Sequence, residues 1–293
     1  MTSYQDPSPR ITIVTPVLNQ VLFIEETILS VLSQNYNNLE YIIIDGGSTD
    51  GTLEIIKKYE KDITYWVSEP DDGMYNAIQK GFDRSTGEIM AWLNSDDKYK
   101  PDCLQMIASI FNDLELEWIV GIPSMYNKDS KCVKIFNLER WSRSRFWIKD
   151  YKWIQQENVF WRRSLWDKSG GQIYSELKYA GDFNLWCRFF NHTNLYSVNT
   201  SFAGFRLHGS QLSVDFKKEY ESEAKKIIKA FKPKNIKDIS RYFILYFLSI
   251  TRTIIRYSFI LLFLEPVLSA VIRKLHHFPG VIYYNFYEMK WKK

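Results

Sequence analysis

Over the first 110 residues, short aliphatic and β-branched runs alternate with segments whose apolar positions recur at three- and four-residue spacing. The runs at residues 11–17, 39–44, 63–67 and 89–93 have strand length, and the segments 23–32, 52–59 and 74–82 carry the helical period. Alternation of this kind predicts βαβ units around a mainly parallel sheet. Further on the pattern is mixed. Residues 118–123, 132–136, 195–198 and 202–207 read as short strands and residues 163–168 and 182–191 as helices, so one α/β domain is expected to continue to Ser213 with a mixed sheet edge.

After Ser213 the pattern changes. Residues 216–231 form a charged amphipathic helix broken by Pro233, and an apolar, aromatic helix is expected from about residue 239 to 264, with Pro266 beyond it. The chain thus divides into a domain of residues 1–213 and a helical appendage of residues 214–293. Charge divides at the same place. From Lys217 to Lys293 there are 16 Lys and Arg against 6 Asp and Glu, a balance of +10; the whole chain carries +4, which leaves −6 for residues 1–216. A basic, apolar tail is expected to meet a negative surface. Anionic lipid is favoured over nucleic acid, because the basic residues have no stacking platform or recognition motif beside them.

Residues 242–264 are apolar enough to raise a spanning helix, but Arg252 and Arg256 fall in the middle, each costing about 2.5–3.5 kcal/mol at a bilayer centre. Asp238, Arg241, Ser249, Arg252 and Arg256 follow one helical stripe, which suits a helix lying in the membrane interface. A helix packed on the enzyme core or on a second copy is the alternative. With 45% hydrophobic residues the chain can bury a large core. Its three cysteines, Cys103, Cys132 and Cys187, give neither a disulfide framework nor a zinc spacing and read as small buried apolar residues in a reducing compartment. The opening MTSYQDPSPR lacks the basic and apolar regions of a secretory signal, so a cytoplasmic location is expected.

Polar and acidic clusters close each of the first four strands. They are Thr15-Pro16-Val17-Leu18-Asn19, Asp45-Gly46-Gly47-Ser48-Thr49-Asp50-Gly51-Thr52, Ser68-Glu69-Pro70-Asp71-Asp72-Gly73 and Asn94-Ser95-Asp96-Asp97. In an open α/β sheet, ligands bind beyond the carboxyl ends of the strands, and a hard divalent cation there takes one or two carboxylates plus substrate phosphates. Asp45 meets a glycine-rich loop, a setting that suits a base edge or a ribose hydroxyl. That loop has neither GxGxxG nor GxxxxGK[ST] spacing, which disfavours a Rossmann dinucleotide site and a Walker ATPase. Single residues have simpler uses: Asn19, Ser48 or Asp50 can cap a helix, and Asp97-Lys98 can lead into a helix at Pro101. Four successive strand ends carrying Asn19, Asp45, Asp72 and Asp96 point instead to a shared ligand.

In this order TPVLN, IDGGSTDGT, SEPDDGMYNAIQKG and LNSDD resemble the family-2 glycosyltransferases of the GT-A fold, over roughly three quarters of the chain. The resemblance implies a GT-A-like α/β fold, with a mainly parallel, mixed-edge central sheet flanked by helices. It also implies a nucleotide-sugar donor, UDP-linked, and Mn2+ or Mg2+. Pro16 and Asn19 would lie beside the nucleotide, Asp45 on the uracil or ribose side, Asp72 near base and ribose, Asn94 and Ser95 with the donor, and Asp96 on the metal. Asn94 stands where many members have the first Asp of DxD.

Tyr179-Ala180-Gly181-Asp182 resembles the family's acidic motif, often Glu-Asp, whose Asp is the catalytic base; Gly181 here replaces the Glu. An attacking hydroxyl needs such a base within hydrogen-bond reach, although without the resemblance Asp182 reads first as the cap of the helix after it. Phe205-Arg206-Leu207-His208 resembles the family's closing loop, which implies His208 in the metal shell and Arg206 on the diphosphate. Gln156 and Glu157 match a polar segment on the acceptor side. The QxxRW motif of processive synthases is absent after Asp182.

The resulting expectation is an inverting, non-processive transfer of one sugar to a lipid-linked or glycan acceptor in cell-surface polysaccharide or glycolipid synthesis, on the cytoplasmic face of the membrane. Two alternatives remain. Gly181 and Asn94 leave room for a catalytically silent carbohydrate- or nucleotide-binding scaffold. A sugar-nucleotide pyrophosphorylase would need a glycine-rich N-terminal loop with a downstream Arg, which is missing.

Overall fold

The first strands form where continuous apolar runs can be buried on both faces of a sheet. The computed structural model describes residues 8–148, 154–209, 216–233, 235–257 and 263–293. Its first part runs β1 (Ile11–Val17), α1 (Ile24–Leu32), β2 (Leu39–Asp45), α2 (Thr52–Lys58), β3 (Tyr65–Ser68), α3 (Met74–Arg84) and β4 (Ile89–Trp92). Strand β1 is buried along its whole length and pairs in parallel with β2 on one side and β4 on the other.

Next come β5 (Lys98–Tyr99), α4 (Cys103–Asp113), β6 (Trp118–Val120), β7 (Ser124–Asn127), β8 (Cys132–Ile135), α5 (Arg143–Trp147), a 3₁₀ turn (Gln156–Asn158), β9 (Val159–Arg162), α6 (Arg163–Lys168), α7 (Gly181–Phe189), β10 (Tyr196–Val198) and β11 (Ala203–Leu207). Strand β9 runs antiparallel to both β4 and β6, so the sheet is mixed at its centre, where a mixed edge was expected. A smaller sheet, ordered β5-β11-β7-β8, sits where the chain leaves β4. Asp97 thus enters a short strand before α4 begins. Cys103 and Cys187 are buried as expected, whereas Cys132 is exposed on β8.

The last part is α8 (Lys217–Ala230), α9 (Ile236–Tyr257), α10 (Glu265–Leu275), β12 (Val281–Asn285) and β13 (Lys290–Lys292). Here the structure departs from a simple appendage. Strand β12 pairs in parallel with β10, and β13 closes a hairpin on it, so the main sheet reads β13-β12-β10-β6-β9-β4-β1-β2-β3. The Trp291 amide donates to Asp113 Oδ2 at 2.9 Å, and the Arg140 guanidinium donates to the Phe278 carbonyl at 2.9 Å. Helix α8 buries Ala224, Ile227 and Ile228 and packs on α7. The expected boundary at residue 213 therefore marks the end of the recognisable motifs, while packing continues across it.

Helices α9 and α10 form a hairpin anchored at its open end on α5. Arg143 pairs with buried Asp238 at 2.7 Å, and Ser144 Oγ lies 2.9 Å from His276 Nδ1. The polar stripe expected to face lipid headgroups is turned inward: Asp238 also meets Arg241, and Arg252 pairs with Glu265 of α10 at 2.9 Å. The apolar residues Phe243, Ile244, Phe247, Ile250 and Ile254 are exposed instead, with Val267 and Val271 exposed on α10. The Arg256 side chain lies outside the described residues. Among those described, no helix is long and apolar enough to cross a membrane.

Four buried tryptophans tie the main sheet to α7. Trp92 of β4 and Trp186 of α7 stack at 5.7 Å with ring planes 9° apart, and Trp161 and Trp118 close around Trp186. Such pairs contribute about 0.5–1.5 kcal/mol each beyond their area. Their geometry fixes the start of α7 relative to the loop that follows β4.

Candidate active site

Because β1 pairs in register with both neighbours, the carboxyl ends of β1, β2 and β4 lie side by side, with Val17 opposite Asp45 and Val14 opposite Trp92. Pro16 is buried in β1. Asp45 is buried and both its oxygens are occupied within the protein. Oδ2 accepts the Gly47 and Ser48 amides at 3.2 and 3.0 Å and the Ser68 hydroxyl at 2.5 Å, and Oδ1 accepts the Ser48 hydroxyl. Its carboxylate therefore shapes the glycine loop that carries it.

Asn19, at φ +51°, joins two loops: its amide donates to Ser48 Oγ at 2.7 Å and its Oδ1 accepts the Thr49 amide at 2.9 Å. It does not cap α1, whose N-cap is Phe23. Asp50 does serve a helix start, accepting the Thr52 amide at 3.0 Å. Asp72 is exposed. The neighbouring Asp71, which had no assigned role, lies over Gly46, where an added Cβ would come within 2.9 Å of its Oδ2. Its Oδ1 accepts the Gly73 amide at 2.8 Å.

Beyond β4 the two adjacent acids separate in role. Asp97 is buried, its Oδ1 accepting the Arg206 amide at 2.8 Å, and burial together with Asp96 and Glu157 holds its carboxyl well above the usual range. Asp96 is partly exposed, and its Oδ2 lies 3.0 Å from His208 Nε2. His208 is braced by Phe23, with ring centroids 4.6 Å apart. Ser95 is buried and its carbonyl accepts the Thr27 hydroxyl.

Arg206, expected on the diphosphate, is 1% exposed. Its guanidinium donates to the Asp96 carbonyl, Ser130 Oγ and Glu26 Oε2, each at 2.6 Å. In this arrangement Arg206 holds the Asp96 loop from beneath, which corrects the expectation of a direct donor contact.

Gln156 and Glu157, expected on the acceptor side, are buried under the end of β4. Gln156 Nε2 donates to the Trp92 carbonyl at 2.6 Å. Burial and the Asp96 charge raise the Glu157 carboxyl to about 8. Among the described residues, Asn94 Oδ1, Gln156 Oε1 and Glu157 Oε1 are buried without a hydrogen-bond partner. A desolvated polar atom left unpaired costs about 1–3 kcal/mol, so Asn94 in the loop after β4 and Gln156 and Glu157 in the 3₁₀ turn each keep acceptor capacity that the protein does not fill.

No three His, Cys, Asp or Glu side chains converge on a metal site among the described residues. Asp96 and His208 nevertheless fit a shared cation. Asp96 Oδ2 and His208 Nε2, 3.0 Å apart, are oxygen and imidazole donors that would hold a divalent cation together with phosphate and water oxygens.

Asp182 lies at the start of α7, and burial raises its carboxyl to about 6. It is not the cap of that helix: the N-cap is Ala180, and Glu223 of α8 accepts the amides of Lys178, Tyr179 and Ala180 at 3.1, 3.0 and 2.8 Å. The Tyr75 hydroxyl is 3.3 Å from Asp182 Oδ1, and Tyr220 also hydrogen-bonds this carboxylate. Gly181 has a steric reason, since a Cβ there would come within 2.9 Å of the Tyr75 ring. Tyr75 was visible inside the SEPDDGMYNA motif. Tyr220 and Glu223 carried no sequence signal, because only folding brings α8 onto α7.

Comparison with known proteins bears on the family and the fold. Residues 12–164 match the model for glycosyl transferase family 2. An uncharacterized glycosyltransferase of Rickettsia prowazekii is 27% identical over 217 residues, covering 70% of this chain and 66% of the relative. A putative teichuronic acid biosynthesis glycosyltransferase, TuaG of Bacillus subtilis, is 40% identical over 100 residues, or 33% of this chain and 40% of TuaG. Among solved structures, S. aureus TarS superposes with a TM-score of 0.62 at 16% identity, covering 82% of this chain and 43% of TarS. Its 1–349 fragment, solved in complex with UDP-GlcNAc, gives 0.58 at 15% identity, covering 76% of this chain and 71% of the fragment. The chain thus spans just under two thirds of the Rickettsia relative and less than half of TarS.

Proposed function

This chain belongs to glycosyl transferase family 2, and on that premise we propose that it moves a single sugar, with inversion, from a UDP-linked donor to a lipid-linked or glycan acceptor of a cell-surface polysaccharide or glycolipid. The observation that carries this reading is that the Asp45 loop and the Asp96–His208 pair follow the carboxyl ends of β2 and β4, the two strands that flank β1, with Asp182 at the start of α7. The UDP-GlcNAc complex of TarS supports the donor class, and TuaG supports the polysaccharide setting. Gly181, the feature most favourable to a silent scaffold, has its explanation in Tyr75.

In this reading the uridine lies against the loops of Asn19, Asp45, Asp71 and Asp72, and the diphosphate lies over Asn94, Ser95 and Asp96. Asp96 and His208 would hold Mn2+ or Mg2+, which when bound neutralises charge on the leaving nucleoside diphosphate. Asp182 accepts the proton of the acceptor hydroxyl as that oxygen bonds to the anomeric carbon. The bond from that carbon to the diphosphate breaks on the opposite face, so the configuration inverts. Arg206 acts on the protein side, keeping the Asp96 loop in place.

The outward apolar face of the α9–α10 hairpin supports contact with a membrane surface, which this reading takes to be anionic and on the cytoplasmic side. Phe243 and Phe247, 62% and 68% exposed, would enter the lipid interface while the Arg143–Asp238 pair holds the hairpin on the enzyme.

Asp96→Ala is expected to reduce manganese-dependent UDP affinity at least about tenfold, the scale for removing groups that support a metal site. Calorimetry of UDP binding with and without manganese checks this. Equal affinities in wild type and variant, with or without the ion, would exclude Asp96 as the ligand.

A further inference from the structure

Helix α8 lies outside the family match at residues 12–164, yet it reaches the proposed base. Glu223 holds the three amides that precede α7, and Tyr220 hydrogen-bonds Asp182 itself. The second tyrosine is Tyr75 of α3, whose ring occupies the space left by the missing Cβ of Gly181. We propose that Tyr75 and Tyr220 are positioning residues for Asp182, so that α8, from the basic C-terminal region, is a working part of the active site. The proposal rests on the reading of Asp182 as general base, and it assigns the site a tyrosine pair in place of the acidic neighbour that Gly181 excludes.

The geometry fits a carboxylate that must gain and lose a proton. The Tyr75 hydroxyl is 3.0 Å from the Tyr179 carbonyl and 3.3 Å from Asp182 Oδ1. It has one proton and two acceptors in reach. With Asp182 ionised, the hydroxyl can donate to the carboxylate; with Asp182 protonated, it can turn to the Tyr179 carbonyl and accept from the carboxylic acid. Burial and the Asp182 charge hold both tyrosines well above the ordinary phenol range, so both keep their protons as donors. Hydrogen bonds from both favour the ionised carboxylate, offsetting part of the desolvation that raises it. The other titratable groups at this place are buried Cys187 of α7, which senses the Asp182 charge, and Glu223, engaged with the backbone.

The test is a carbon-13 NMR titration of the full chain labelled at aspartate side-chain carboxyls, with the Asp182 resonance identified by its loss in Asp182→Asn. The wild-type midpoint is expected near 6. Tyr75→Phe and Tyr220→Phe keep the rings and remove the hydroxyls, and each is expected to move the midpoint up by about one pH unit, the scale of one hydrogen bond to a charged group. Midpoints unmoved in both variants would overturn the proposal. Should a Phe variant lose its thermal transition, the wild-type chain supplies a second readout. In mixed light and heavy water the Asp182 carbon should show deuterium isotope shifts from bonded hydroxyls beyond that of the Phe183 amide, which also meets Oδ1, and a shift from the amide alone would also overturn it. Failure of Asp182 as base shows separately, as turnover retained by Asp182→Asn.

Discussion

Asp182→Asn is expected to lower turnover by about a hundredfold or more while donor affinity stays within a few-fold, because general-base catalysis contributes roughly 10²–10⁴. Asparagine keeps the size of the side chain and can still accept from the Phe183 amide, which meets Asp182 Oδ1 at 2.7 Å. What it loses is the ability to take a proton. The same residue sets the pH dependence. With the carboxyl near 6, the base is ionised above that pH and protonated below it, so kcat/KM is expected to fall about tenfold per unit on the acid side. The variant should lose this limb along with the rate. Steady-state turnover of a UDP-sugar donor between pH 5 and 8, beside calorimetric donor affinity, checks both. A variant within a few-fold of wild type would place the base elsewhere. Glu157 is then the next carboxyl to test, although its burial under β4 keeps it from an acceptor in this conformation.

Much of the first hundred residues was legible in the sequence because their signals are local. Residues 11–17 and 39–45 form strands fully or almost fully buried, and an apolar run of that length bounded by polar turns has few other uses. The strand-end clusters were legible for the same reason, since each follows its strand directly.

Side-chain direction was not legible. Asp45 and Arg206 were expected to face the donor, yet Asp45 is engaged by its own loop and by Ser68, and Arg206 by Glu26, Ser130 and the Asp96 carbonyl. A charged residue in a binding motif has the same one-letter code whether it touches the ligand or braces the residue that does. The C-terminal strands were hidden differently. Val281–Asn285 is a short aromatic stretch whose partner, β10, lies more than 80 residues earlier, and no period in the local sequence records that pairing. Tyr220 and Glu223 belong to the same class, as polar positions on an amphipathic helix whose partner, α7, is known only once the chain is folded.

Replacing Phe243 and Phe247 together with Glu is expected to abolish binding to vesicles containing anionic phospholipid. Each fully buried Phe contributes about 1.5–3 kcal/mol of transfer free energy, so losing two weakens partition at least about a hundredfold before the new charges add repulsion. The hairpin's anchoring brings Lys237, at the start of α9, to the same end as Arg273 and Lys274, at the end of α10, and all three are exposed. Basic residues near an anionic surface contribute about 1 kcal/mol each, so wild-type binding should weaken with salt and be poorer on neutral vesicles. Arg252→Glu is expected to act by another route. It places like charges opposite each other where Arg252 now meets Glu265, so it should loosen the hairpin and lower the melting temperature, whereas the Phe pair should leave melting nearly unchanged. Co-sedimentation with anionic and neutral vesicles across a salt series, beside thermal melting of each variant, separates these effects. Wild-type protein that ignores vesicles but dimerises through the Phe243–Phe247 face would assign that surface to a second copy of the chain and remove the membrane from the proposed function.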